Sequence, residues 1–175
     1  MDLVTLIREK RFLGLEFLSW LWFFSEINRG LIELKGLGTV EVWFEDRMVL
    51  ETGIGNARQT VTCQGKDLDL TEARTALREG KKVSQARLRI LIEGREWRFT
   101  FHAEGFELSG VRPPKTFEAE EEEPEGEAGL LLDRVALMLE LTGVVDALYK
   151  KFLADRLTET WVKKTLPRLR AWIDE

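Results

Sequence analysis

The sequence predicts an α+β protein, in which an antiparallel sheet packs against an N-terminal aromatic helix and is followed by an acidic linker and long C-terminal helices. Three observations indicate this class. Residues 11–26 carry apolar side chains at helical spacing, residues 39–52 and 83–103 alternate apolar with polar side chains, and residues beyond 129 return to a helical pattern. Because helices and strands come in separate runs along the chain, the two kinds of element are expected to be segregated in the fold.

The first helix is predicted from the stretch RFLGLEFLSWLWFFSE, residues 11–26. Its apolar side chains cover so much of the circumference that the helix is expected to be buried on two sides, and a partner contact is the alternative. A membrane span needs about 20 consecutive apolar residues. Glu16 interrupts the run, and no small-residue cleavage motif follows it. The stretch therefore predicts a core helix, not a membrane anchor or a signal peptide.

The middle of the chain predicts strands joined by short turns. Residues 39–52 are interpreted as a hairpin that turns at Asp46–Arg47, and a hairpin over residues 83–103 turns at Glu93–Gly94. The remaining elements expected here are a short strand ending near Gln64, a helix over 71–79 that stops at Gly80, and a strand near 105–111.

The composition changes abruptly after residue 112. Two prolines and an acidic run predict a flexible linker over residues 113–128, between an α+β domain at 1–112 and a helical segment at 129–175. The acidic run 118–127 could alternatively compete with DNA for a basic surface. In the helical segment, apolar residues recur at alternating four and three positions, which is typical of a coiled-coil seam. Its members are Leu131, Val135, Met138, Thr142, Val145, Tyr149 and Phe152. Pro167 is expected to kink the last helix or to open a new one.

The composition excludes several classes of site. One cysteine, Cys63, and one histidine, His102, allow neither an internal disulfide nor a Cys-rich zinc site, and leave little for a His-based catalytic group. Both residues are interpreted as structural, and a cytoplasmic location is expected. Glu41, Glu45 and Asp46 could be imagined as a nuclease cluster, but their spacing does not favour it. We therefore predict no catalytic residue, no metal, no cofactor and no enzymatic activity.

Two stretches together resemble the RdgC family. They are FLGLEFLSWLWFFSE with VEVWFEDRMVLE, and TCQGKDLDLTEARTALREGKKVSQARLRI, which ends in the signature Gly80-Lys81-Lys82-Val83. The helix LLLDRVALMLELTGVVDALYKKFL is also similar to a helix near the C-terminus of those proteins. The resemblance spans most of this chain and roughly the C-terminal half of the longer family members.

This resemblance implies a DNA-binding protein of recombination, cytoplasmic and nucleoid-associated, that works as a dimer. Longer members form a ring-shaped dimer around double-stranded DNA, without strong sequence preference, and limit RecA loading. The family's Lys/Gln loop falls here on Gln64-Gly65-Lys66, so the resemblance assigns Lys66 to DNA. The resemblance also suggests two candidate protein partners, a recombination protein and a separate chain that supplies the other half.

Basic residues on and near the second hairpin are the candidates for phosphate contact. Arg87 and Arg89 share one face of a strand, and Arg98 is expected to lie across from them. The full set is Lys66, Lys81, Lys82, Arg87, Arg89 and Arg98. The alternative interpretation is an ordinary solvated face of a half-exposed antiparallel sheet, because such faces are normally charged.

Aromatic residues in the C-terminal segment suggest an oligomer interface. Tyr149, Phe152, Trp161 and Trp172 lie on its helices, and tryptophan is enriched among interface anchors. If DNA is not bound, the alternative function is a non-catalytic protein–protein interaction module with the same fold. The net charge of −5 favours that alternative, and the basic hairpin favours DNA.

Overall fold

The fold is that of a computed structural model, in which residues 3–52, 57–65, 70–114 and 127–174 are described. The strands are β1 (Leu31–Leu34), β2 (Gly38–Thr52), β3 (Gln59–Gln64), β4 (Lys82–Ile92), β5 (Arg95–His102) and β6 (Glu107–Arg112). The α-helices are α1 (Leu3–Ile27), α2 (Leu70–Arg78), α3 (Glu127–Arg156) and α4 (Leu166–Asp174), with a π-helix at Trp161–Thr165.

The six strands form one antiparallel sheet. Five of them follow the order β1-β2-β4-β5-β6. The sixth, β3, pairs with residues 47–52 of β2, whereas β1 pairs with residues 38–41. The predicted α+β class is therefore confirmed. The hairpin between β4 and β5 turns at Glu93 and Gly94, which both have positive φ (50° and 79°). This is the geometry that matches the twist of a two-residue hairpin, so the turn was predicted correctly. The predicted helix at 71–79 is found as α2, and Gly80 follows it with a φ of 85°.

The predicted turn at Asp46–Arg47 is wrong, because β2 runs through it as one strand of 15 residues. Phe44 pairs with Leu88 and Met48 pairs with Ala86, so residues 45–47 form a bulge opposite Arg87. The bulge adds two residues to β2, and an even number preserves the two-residue period of the strand. Met48 and Leu50 therefore return to the buried face that Val42 occupies. On this edge β2 instead pairs antiparallel with β3 and with β1, a strand that the sequence did not predict.

The core lies between one face of the sheet and the helices. Helix α1 is buried along its second half, where six large side chains are at most 2% exposed, and this confirms the predicted core helix. These residues are Phe17, Leu18, Trp20, Leu21, Trp22 and Phe23. From the sheet, the apolar members of the alternating pattern in β2, β4 and β5 complete the same cluster.

The C-terminal helices share this core. Leu141, Val144 and Leu148 of α3 belong to the same buried cluster as α1 and the sheet. Asp155 accepts hydrogen bonds from the indole of Trp20 at 3.2 Å and from the hydroxyl of Thr165 at 2.8 Å, which ties α1, α3 and the π-helix together. Pro167 lies inside a helix that runs without a break from the π-helix into α4, since the N–H of Leu166 donates to the carbonyl of Trp161. A proline within a helix removes a backbone donor, and the π-helical turn lies directly before it. Of the predicted linker, residues 115–126 lie outside the described part of the chain.

Candidate functional site

The face of the sheet opposite the helices carries the candidate site. The register of β2, β4, β5 and β6 places Trp43 opposite Arg89, Arg89 opposite Arg98, and Arg98 opposite Arg112. We refer to Arg89, Arg98 and Arg112 as the arginine row. Neighbouring strands lie about 4.8 Å apart, so the row spans roughly 10 Å across the sheet. Arg87 lies beside it on the same face of β4.

Two carboxylates, Glu45 and Glu96, pair with two of the three arginines in the row. Arg98 Nε donates to Glu96 at 2.7 Å and lies 3.5 Å from Glu45, and Arg89 lies 3.7 Å from Glu96. The hydrogen bond to Glu96, together with the charges of Glu45 and Glu96, raises the pKa of Arg98.

Arg87 joins the same network through the β2 bulge. It lies 3.5 Å from Glu45 and 3.4 Å from Asp46, both of which the bulge brings over β4. The arginines are therefore held in place, and a ligand must displace carboxylates to reach most of them.

Arg112 is the exception in the row. Its side chain is exposed on the edge strand β6, and it forms no hydrogen bond or ion pair with any residue that the structure describes. The sequence did not single out Arg112 or Trp43. The signal for Trp43 was its place in the alternation of β2, whereas Arg112 is revealed only by the pairing of β6 with β5.

The predicted lysines do not join the arginine row. Lys81 is only 7% exposed and is paired with Glu79 beside the end of α2. Lys82 lies 3.3 Å from Glu16 of α1. Burial lowers the pKa of Lys82, and the charge of Glu16 only partly offsets that effect. Both lysines are thus paired with the protein's own carboxylates away from the arginine row, and their contact with phosphate stays a prediction. Lys66 lies outside the described residues.

An open cleft of about 550 Å³ lies on the sheet beyond the arginine row. Its floor contains Glu51, which is 4% exposed and is hydrogen-bonded by Arg58 Nε at 2.7 Å. His102, on the rim, is 2.8 Å from the hydroxyl of Ser109. Among the residues described, no group of histidine, cysteine and carboxylate side chains is arranged to hold a metal ion. This cleft was not predicted, because nothing in the sequence distinguishes Glu51 from the exposed glutamates.

The predicted oligomer interface is covered by the chain itself. Phe152 is fully buried, and Trp161 and Trp172 are 8% and 5% exposed, so these three side chains are unavailable to a second subunit. Their neighbours explain the burial: Trp172 packs edge-on against Trp22 at 4.9 Å, and Phe152 lies 5.7 Å from Phe17. Tyr149 is half-buried between Phe17 and Phe106, and burial raises its pKa.

The exposed part of the seam lies at the N-terminal end of α3. Leu131, Val135 and Met138 are 62%, 47% and 38% exposed, and Leu132 and Leu139 beside them are exposed by about two thirds. We call these five residues the α3 apolar end. The seam predicted from the sequence thus divides, with its second half in the core and its first half in solvent.

Comparisons with protein-family models, with curated proteins and with solved structures find no match for this chain. In the part of the chain that the structure describes, no helix is both long and apolar enough to cross a membrane. The fold and the site together define a two-layer α+β protein with helices on one face of its sheet and an ion-paired arginine cluster on the other.

Proposed function

We propose that this chain is an RdgC-like, non-enzymatic protein that binds the phosphate backbone of DNA through the arginine row and acts in recombination or its control. The RdgC resemblance of the sequence supports the DNA ligand, a dimeric unit and a cytoplasmic, nucleoid-associated location. The arginine row supports the surface.

The observation that carries the proposal is that the row places like charges directly opposite each other on three strands. Directly opposed like charges destabilise a sheet. A face selected only for stability would alternate the signs along that row. Guanidinium groups are weakly hydrated and match phosphate oxygens with two donors, so a phosphate could take the place that Glu45 and Glu96 hold beside the row.

The carboxylates set the strength of this binding. Glu45 and Glu96 each contact two arginines, and the phosphates of DNA would have to compete with them. The expected complex is therefore of modest affinity and indifferent to base sequence, because phosphate contacts carry no sequence information.

Neutralising the row is expected to weaken DNA binding. The variant R89Q/R98Q/R112Q should lose at least about tenfold in affinity for a duplex of about 40 base pairs at low salt, measured by fluorescence anisotropy. R112Q alone breaks no ion pair of the described residues, so it should not affect folding. We expect this variant to lose about threefold in duplex affinity, through the lost contact with phosphate.

Matched variants make this test two-sided. E45Q/E96Q removes the competing charges and should raise the affinity about threefold to tenfold. K150Q/K163Q/R168Q removes three charges from the helical layer and should have little effect. If the row variant and the helical-layer variant lose affinity equally, the binding surface is not the arginine row.

A protein–protein interaction module without DNA binding is the second candidate. The α3 apolar end favours it, since it exposes roughly 500 Å² of apolar surface, as large as the largest patch of a typical monomer. Two copies that pair these ends would bury about 1,000 Å², the lower limit for a specific interface. We assign this surface to a second copy of the chain, which would also supply the dimer of the first proposal.

Charges placed in the α3 apolar end are expected to convert a dimer into a monomer. L132E/L139E should do so in analytical ultracentrifugation without lowering the melting temperature, because both side chains are already in solvent. L157E/V162E is the control, because Leu157 and Val162 are equally exposed but lie away from the α3 apolar end. Leu157 directly follows α3, and Val162 lies in the π-helix. A wild-type protein that is monomeric at high micromolar concentration would exclude this interface.

A further inference from the structure

Trp43, one of six tryptophans that all lie in the described residues, is exposed at the end of the arginine row. The other five are at most 8% exposed, whereas Trp43 is 36% exposed on the outer face of β2. Burying an indole is strongly favourable. Trp43 differs from the other tryptophans because it is exposed and lies beside a row of cations.

The indole of Trp43 is held in a fixed orientation. Its benzo ring lies against the backbone of Gly30, where a Cβ atom would come within 2.5 Å of two ring atoms. The indole N–H donates to Glu41 at 3.3 Å. Gly30 has a φ of 79°, so glycine is suited both to the turn between α1 and β1 and to the ring above it. A ring that is already ordered loses little conformational entropy when a ligand stacks on it.

The surroundings of Trp43 suit a ligand that is apolar in one part and anionic in another. Arg89 lies directly opposite on β4, and Arg98 lies one strand further. Leu31, which is 52% exposed, lies diagonally across from Trp43 on β1 and extends the apolar surface. Aromatic side chains next to a basic track are the usual arrangement for binding single-stranded nucleic acid, because every base has a face that can stack.

We propose that Trp43 is a base-stacking residue, and that the outer face of the sheet therefore binds unpaired nucleotides through Trp43 while the arginine row binds their phosphates. This inference rests on the proposed function and makes it more specific. In an intact duplex the bases are stacked on each other and cannot reach an indole on a sheet, so Trp43 contributes only to single strands or to duplexes with unpaired ends.

The test compares W43L, W43F and the wild type on a DNA single strand and on the matched duplex, by fluorescence anisotropy. W43L should weaken single-strand binding about 5- to 100-fold and leave duplex binding within about twofold. W43F keeps an aromatic face and should retain most of the single-strand affinity. Thermal melting of each variant controls for folding, and W43F keeps the test valid if W43L is unstable.

The outcomes separate the two proposals. A wild-type protein that binds neither DNA form would overturn both of them. A wild-type protein that binds both forms, with W43L unchanged on the single strand, would remove the role of Trp43 and leave phosphate binding by the row intact. Equal losses on the single strand and on the duplex would also overturn base stacking, because the effect would not depend on unpaired bases.

Discussion

Replacing Phe17 with alanine is expected to cost about 3 to 5 kcal/mol of folding free energy, the range for removing a fully buried phenylalanine. The Phe17 ring is 1% exposed and lies within 5.3 to 6.4 Å of five other aromatic rings. These rings belong to α1, to the end of the sheet and to α3: Trp20, Phe101, Phe106, Tyr149 and Phe152. No neighbouring side chain can fill the resulting cavity without leaving its own contacts.

Urea denaturation followed by circular dichroism measures this loss. A domain of ordinary stability has about 5 to 15 kcal/mol in total, so F17A should unfold at a much lower urea concentration than the wild type. L37A is the control, because Leu37 is 39% exposed and its truncation should change the free energy by less than about 0.5 kcal/mol. A loss below about 1 kcal/mol in F17A would mean that the six rings do not form the joint between sheet and helices.

Replacing Gly14 with alanine is expected to destabilise the protein by several kcal/mol, although alanine is the better helix former by about 1 kcal/mol. A Cβ atom at Gly14 would lie 1.9 Å from the carbonyl oxygen of Ala103 and 2.9 Å from its carbon. Both are backbone atoms that cannot rotate away. Helix α1 would have to move off the end of β5, and the core contacts of Phe17 would open with it.

Gly143 provides a matched control inside another helix. A Cβ atom there meets nothing within 4 Å, so G143A should gain about 0.5 to 1 kcal/mol from helix propensity alone. The same substitution thus has opposite expected signs at two helical positions, and the difference is the close approach of α1 to β5. If G14A and G143A are both stabilising in thermal melts, that close approach does not exist in solution.

The sequence predicted those elements whose signal is local. The β4–β5 hairpin was predicted because period-two alternation on both strands surrounds a Glu-Gly turn, and α1 because its apolar side chains cover more than one face. The bulge in β2 was misinterpreted as a turn because Asp46 and Arg47 are polar turn-like residues within an otherwise unbroken alternation. Strand β1 has only four residues, which is too short for a periodic pattern to be distinguished.

The site was less predictable because it depends on pairing between distant strands. The alternation of β4 places Arg87 and Arg89 on one face, but it cannot show that Glu45 of β2 and Glu96 of β5 lie against them. Likewise, the spacing of aromatic residues in the C-terminal segment indicates a packing seam, but not what covers it. Phe152 is covered by α1 of the same chain, whereas Leu131 is exposed to solvent.

The salt dependence of duplex affinity tests the central claim most directly. Fluorescence anisotropy with wild-type protein and R89Q/R98Q/R112Q, between about 50 and 200 mM salt, gives the number of phosphates that each neutralises. We predict that wild-type affinity falls steeply with salt, and that the slope of log affinity against log salt is smaller by about two to three in the variant, one for each lost contact. Absence of binding by micromolar wild-type protein at the lowest salt, or identical slopes for the two proteins, would contradict phosphate binding by the arginine row.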